Sequence, residues 1–324
     1  MKIYHYKKGV ALLISLWILI ILSLIVGSIA IEMNIEGLLL SKKRKTFNSE
    51  ILAISGIDYA RAIIEMKNKA NELEIEDSND DFMKAALYVK NGLKSFCSVS
   101  ITNMGSFSIK IETAETGRNI NKLDRYQWSE IFEMANIPST SWDELIDCLY
   151  DWIDEGDLQR LNGAESDDTF YQERFYPVKN APLDSVNELL LIKHWNEEIL
   201  FGKKEDEFGD EIIGIADLLT VWGDGKVNLN TASTNLLLSY VEYEDWELSN
   251  IMESRLGLDG IENTLDDGIK SIDEVNADST KFKLQSELLK VTSIGKSGNN
   301  EYMIECIMKV EGNKPIIVFW NEKI

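Results

Sequence analysis

The sequence predicts an α+β protein: a long N-terminal helix packed on an antiparallel sheet, with a large all-α domain inserted into that sheet. Three observations predict it. An uncharged apolar run, Val10 to Ile31, continues into helical periodicity as far as residue 69. Two stretches, 96–111 and 302–320, alternate apolar and polar residues. Between them, residues 117–288 carry mostly helical signals.

The apolar run is about 22 residues, which at 1.5 Å per residue matches a hydrocarbon core of roughly 30 Å. A secretory signal to be discarded has a shorter apolar region, of about 7–15 residues, ending in small residues. Neither feature is present. Lys2, Lys7 and Lys8 precede the run, so the positive-inside rule puts the N-terminus in the cytoplasm and the bulk outside. Lys42, Lys43, Arg44 and Lys45 then lie on the translocated side, and read as solvated helix charge. Phe47, Ile51, Ile54, Ile57, Ala60 and Ile64 recur at spacings of three and four, an amphipathic stripe. One helix over 10–69 would be about 90 Å long.

Cys97, Val99 and Ile101, a turn at Gly105, then Phe107, Ile109 and Ile111 predict a hairpin with one apolar face. Tyr302, Ile304, Cys306, Met308 and Val310 alternate likewise, and Ile316 to Trp320 form a further strand. Neither β pair is stable alone, so the two should share one sheet and the helical block should be an insertion. That block holds a weak repeat. GRNINKLDRYQWSEIFEMANI from Gly117 and GKVNLNTASTNLLLSYVEY from Gly225 both run glycine, basic, Asn-apolar-Asn, then amphipathic helix. Asn230 or Thr231 is expected to cap a helix starting at Ala232. The two units should reach second helices ending near Trp152 and Arg255.

Lys and Arg number 33 against 55 Asp and Glu, a formal charge of −22. A field of that sign repels nucleic acid and favours cation binding. Cys97, Cys148 and Cys306 show no CxxC spacing, which excludes a zinc ribbon or thioredoxin-type motif. His5 and His194 are too few for a histidine metal centre, and His194, beside Trp195, reads as structural. There is no GxSxG. Gly295-Lys296-Ser297 lacks the first glycine of a phosphate loop, Lys290 standing there, and it leads into a hairpin-turn signal at Gly298-Asn299-Asn300. No nucleophile constellation emerges, and carboxylates are too numerous to nominate an acid and a base, so no enzyme is expected. Two acidic loops stand out. In DWIDEGDLQRLNGAESDDTFYQ, Asp151, Asp154 and Asp157 step by three across a helix end, with Glu165, Asp167 and Asp168 after Gly163. LDGIENTLDDG carries Asp259, Glu262, Asp266 and Asp267 around three glycines, counting Gly257 just before it. Hard divalent cations take six to eight oxygens on bent loops. A plainly solvated loop accounts for the same residues, and neither sequence is an EF-hand.

The order Lys7-Lys8-Gly9 abutting VALLISLWIL resembles the type III signal that prepilin peptidase cuts after glycine, here between Gly9 and Val10, keeping the apolar helix. The fifth residue after the cut is usually glutamate in that signal; here it is Ile14. With the Asn-x-Asn units, the DW-x-D…GAE…Y arrangement and KNAPLDSVNELLLI (Lys179 to Ile192), most of the chain resembles the general secretion pathway protein K family, minor pseudopilins of type II secretion. The resemblance implies a leader over 1–9, a helix over 10–69 spanning the membrane at 10–31, and a pilin-like sheet from 95–116 and 289–324. The α domain over 117–288 would hold two helical units. It further implies a bacterial inner-membrane protein with its bulk in the periplasm, assembled at the pseudopilus tip. The partners would be other minor pseudopilins, the major pseudopilin and prepilin peptidase, with no nucleic acid. Calcium is implied at Asp151, Asp154, Asp157, Glu165 and Asp168, and less specifically at Asp259, Glu262, Asp266 and Asp267. VNLNTA also resembles helix-hairpin-helix units of competence proteins, whose membrane-anchored DNA-uptake function is the alternative. The acids of YVEYEDWE, Tyr240 to Glu247, would repel a phosphate backbone there. A disulfide between Cys97 and Cys306 is left open.

Overall fold

Helix α1 (Lys8–Met66) runs unbroken for 59 residues, about 88 Å. The computed structural model describes residues 8–67, 81–204, 211–240, 245–262, 264, 266–312 and 314–323. After α1 come α2 (Asp81–Lys90), β1 (Ser95–Ile101), β2 (Gly105–Thr113), β3 (Arg118–Asn119), α3 (Arg125–Met134), α4 (Trp142–Ile153), α5 (Thr169–Arg174) and α6 (Glu197–Phe201). Then follow β4 (Leu219–Thr220), β5 (Val227–Asn228), α7 (Thr234–Leu238), α8 (Asp245–Ser254), β6 (Phe282–Lys283), β7 (Leu288–Ser297), β8 (Asn300–Glu311) and β9 (Lys314–Lys323).

Residues 12–47 of α1 are exposed along their whole length, and this helix is long and apolar enough to cross a membrane. Its C-terminal part is covered: Leu52, Ala53, Ile57, Ala60, Ile63 and Ile64 are buried against the sheet and α2. The stripe read from sequence had the wrong phase in two places, since Phe47 and Ile54 are 59 % and 41 % exposed. Periodicity marks every apolar position on a helix, whereas the sheet covers only one side of it.

The sheet is antiparallel with order β1-β2-β7-β8-β9. The insertion lies between neighbouring strands β2 and β7, so the chain leaves and re-enters side by side; Ala114 N–H donates to Leu288 O at 2.9 Å. Phe107, Ile109, Ile111, Val291, Ile304, Cys306 and Met308 form one core with α1. Helix and strand meet backbone to backbone at Gly295, and Ser293 Oγ donates to Ala53 O at 2.8 Å. β7 turns into β8 through Gly298 and Asn299, with Ser297 opposite Asn300 and Gly298 at φ +61°. Cys97 on β1 and Cys306 on β8 have β2 and β7 between them. At about 4.8 Å per strand they stand roughly 14 Å apart, too far for a disulfide. Both are free and buried. α2, with Ala85, Ala86 and Val89 buried, had no expected counterpart.

The inserted domain has its own core, including Trp128, Phe132 and Trp195 in mutual ring contact. It is mainly helical but not purely so, since β3 pairs parallel with β4 and β5 with β6. The repeat is geometric. Asn119 Oδ1 accepts Asn121 N–H at 3.0 Å, and Asn228 Oδ1 accepts Asn230 N–H at 2.9 Å. The second asparagine of each unit clamps one distant residue through both backbone groups. Asn121 does so to Leu183, and Asn230 to Ile269. Each clamp closes a segment containing one acidic loop. Asn230 is therefore not a helix cap: α7 starts at Thr234, and Ser233 caps it by accepting Leu236 N–H. His194 sits in a turn at φ 71°, with Nδ1 3.5 Å from Glu144.

Candidate metal centre at the end of helix α4

Leu145, Ile146, Leu149 and Trp152 bury one face of α4 in the domain core. That register carries Asp151 inward, where it is 0 % exposed. Asp154 ends the helix in extended conformation, and the chain then wraps back over Asp151. Gly163 makes the approach possible, because a Cβ there would lie 1.8 Å from Asp151 Oδ2. Arg160 N–H donates to both Asp151 oxygens, at 3.3 and 3.2 Å. Its guanidinium Nη1 donates to Asp151 Oδ1 at 2.7 Å and also to Asp154.

Glu165 completes the cluster from beyond Gly163. It is 4 % exposed, and neither carboxylate oxygen has a hydrogen-bond partner among the described residues. Burial first, then repulsion from Asp151, Asp154, Asp157 and Asp167, pushes its carboxyl up to about 7. Asp157 is exposed and accepts Asn180 Nδ2 at 3.5 Å, while Asn180 Oδ1 is buried without a partner. Buried acceptors left without donors are costly. A hard divalent cation is the group that satisfies several oxygens at once. Among the described residues no three of Asp151, Asp154, Asp157 and Glu165 bring carboxylate oxygens within 4.8 Å of one another, Arg160 standing between Asp151 and Asp154; the buried, unpartnered Glu165 is what points to a cation here. Sequence reasoning missed Asn180; its left-handed φ of 50° in KNAPL is a tertiary feature.

Asp168 does not join them. Its carboxylate caps α5 by accepting Phe170 N–H at 2.8 Å and pairs with Lys193 Nζ at 2.7 Å. Burial opposes ionisation there, but these bonds hold it below the usual carboxylate range. In the second loop, carboxylate oxygens of Asp259, Asp266 and Asp267 lie within 4.8 Å of one another, whereas Glu262 is outside that group and exposed. Here each aspartate already has a donor: Asp266 accepts Leu258 N–H at 2.6 Å, Asp259 accepts Ile261 N–H at 2.8 Å, and Asp267 accepts Thr264 N–H at 3.2 Å, with the Thr264 hydroxyl between Asp266 and Asp267. In the first loop Arg160 serves Asp151 and Asp154 but Glu165 has no donor among the described residues, whereas the second loop supplies donors to its three aspartates from its own backbone and Thr264.

The family model described as Type II secretion system (T2SS), protein K, matches residues 103–201, which hold this centre. No curated protein matches. Among solved structures, the chain is similar to one in the crystal structure of the GspK-GspI-GspJ complex from the enterotoxigenic Escherichia coli type 2 secretion system. The TM-score is 0.53 at 12 % identity, covering 90 % of this chain and 98 % of that one. The likeness in fold extends over the helix, the sheet and the inserted domain together, and within it residues 103–201 match the protein K model of the type II secretion system.

Proposed function

We propose that this chain is a minor pseudopilin that joins other minor pseudopilins through α1 and caps the pseudopilus that exports folded proteins. One observation carries the reading: an apolar stripe on α1 that none of the described residues covers. Met33, Leu40, Phe47 and Ile54 follow at seven-residue intervals and are 67 %, 71 %, 59 % and 41 % exposed. An exposed apolar line on a helix outside the membrane-spanning part is a surface for another protein to cover, and this one extends into the region flanking the sheet. The similar chain in the solved complex is assembled with GspI and GspJ, and proteins of that kind are the partners proposed here. Full-length Phe47→Asp/Ile54→Asp should lose co-purification with the host's other minor pseudopilins while keeping its melting temperature. Undiminished association would refute the stripe as the contact.

Tip position is supported by two further features. Ile14 stands where the usual signal has a glutamate, which would neutralise the amino terminus of a subunit ahead in an apolar bundle. A subunit with nothing ahead needs no such partner. The insertion between β2 and β7 also adds bulk that stacked subunits would meet. One copy per fibre is expected; amounts near the major subunit along the shaft would defeat the cap. The inner-membrane location, with the bulk in the periplasm, follows the same reading. Prepilin peptidase should cut between Gly9 and Val10, so N-terminal sequencing should begin at Val10. An intact Met1 would argue against processing.

Calcium is the ion proposed at Asp151, Asp154, Asp157 and Glu165. The protein should melt lower in chelator, and a hundredfold excess over Kd adds about 2.7 kcal/mol. Identical melting curves with calcium and with chelator would remove the ion from the account.

A further inference from the structure

Arg160 is a cation already inside the acidic loop, and no role assigned so far requires it there. We infer that Arg160 is a built-in, displaceable counter-ion: its guanidinium holds Asp151 and Asp154 while calcium is absent, and leaves when calcium binds. This inference rests on the calcium reading and specifies how that site is regulated.

The geometry shows why one group must leave before the other arrives. Asp151 is fully buried, so without a cation its charge would be strongly destabilising. Arg160 Nη1 bridges Asp151 Oδ1, at 2.7 Å, and Asp154. The guanidinium neutralises only part of the cluster, and both Glu165 oxygens are left without a donor. Calcium needs six to eight oxygens at about 2.3–2.6 Å. Asp151, Asp154 and Glu165 would each supply carboxylate oxygen to it, with water or carbonyls making up the number. Calcium and Nη1 cannot share the Asp151 and Asp154 oxygens, because two cations on the same atoms would repel at close range.

Arg160 also has a way out. Its side chain is 36 % exposed, and its guanidinium carbon lies 5.4 Å from the Tyr150 ring centroid. An aromatic face gives a displaced guanidinium a resting place at the domain surface. Its backbone N–H, which donates to Asp151, need not move. One positive charge therefore leaves as two enter, and the loop keeps its path in both states. Arg160 would let the domain fold before calcium is met, at the expense of weaker calcium binding.

The test is calorimetric calcium titration of the detergent-solubilised full chain, stripped with chelator, as wild type and Arg160→Gln. The variant should bind calcium at least tenfold more tightly, because the competing contacts to Asp151 and Asp154 are charge-assisted and together exceed the roughly 1.4 kcal/mol that corresponds to tenfold. In chelator the variant should melt below wild type, and with saturating calcium the two should melt alike. A second measurement uses wild type alone: modification of Arg160 by phenylglyoxal, mapped by peptide mass spectrometry, should be slow in chelator and faster in calcium. Equal or weaker calcium binding by a folded variant, or calcium that leaves Arg160 as protected as chelator does, overturns the inference while the calcium site stands. Absence of binding to both proteins at millimolar calcium overturns the site and the inference with it.

Discussion

Gly295→Val should destabilise the helix-and-sheet body by about 3 kcal/mol or more, near or above the upper end of the usual overpacking range. A Cβ on Gly295 would lie 2.0 Å from Ser49 O, 2.5 Å from Ala53 N and 3.0 Å from Leu52 Cβ. Two of these are backbone atoms of α1, so no side chain can rotate out of the way. α1 would have to lift from β7, taking Leu52, Ala53 and Ile57 off the sheet and breaking the bond from Ser293 to Ala53 O. At about 2–4 °C per kcal/mol for a chain of this size class, the melting temperature should fall by roughly 10 °C. Circular dichroism of the detergent-solubilised chain measures it. A drop under about 2 °C would show that the helix does not sit this close to the strand.

Lys283→Met should cost about 3–5 kcal/mol, the range for breaking a buried ion pair from one side. Lys283 Nζ is 2.8 Å from Glu115 Oε1 and 2.8 Å from Asp224 Oδ1. Glu115 is 3 % exposed, and its Oε2 has no partner. Burial is the largest influence on the Glu115 carboxyl and leaves its pKa above the ordinary value even with Lys283 beside it. Without the lysine that pKa should rise further. For an acid whose folded pKa is raised, the folded state keeps its full stability below the unfolded pKa of about 4.3 and loses it as pH rises through the folded value. The deficit of the variant should therefore be small near pH 4 and largest above pH 7. Glu115→Gln in the Lys283→Met background should recover much of the loss, because it removes the unpaired charge. A deficit independent of pH would mean that the lysine acts through packing instead. The location makes the effect more than local: Glu115 and Lys283 lie on the two chain segments that join the inserted domain to the sheet. Thr113 Oγ1 crosses between the same segments to Ser286 Oγ at 2.6 Å.

The elements that were legible in advance have strong local periods. A period near 3.6 over α1 and a period of two in β1, β2 and β8 come from the alternation of side chains around one backbone geometry, and no partner is needed to see them. The Asn-x-Asn repeat was visible as letters, but its use was not. Asn230 looked like a helix cap because asparagine caps helices by a local bond. Folding instead carries it to Ile269 and Asn91, contacts that sequence distance hides.

The acidic loop divides in the same way. The spacing of Asp151, Asp154 and Asp157 and the bend at Gly163 announced a place where oxygens gather, and the charge of −22 made a cation a sensible partner. Which oxygens remain available was decided by the tertiary structure. Lys193 and the first turn of α5 take Asp168, and Arg160 takes Asp151 and Asp154. Glu165 is left buried with no donor among the described residues. On α1, likewise, residue order determined an apolar face, but only the sheet's position determined that Leu52 and Ile57 lie under cover while Phe47 and Ile54 stay exposed. Local sequence sets what a segment can bury or bind; the remainder of the chain, by the donors and surfaces it brings close, decides what is left over for a ligand or another protein.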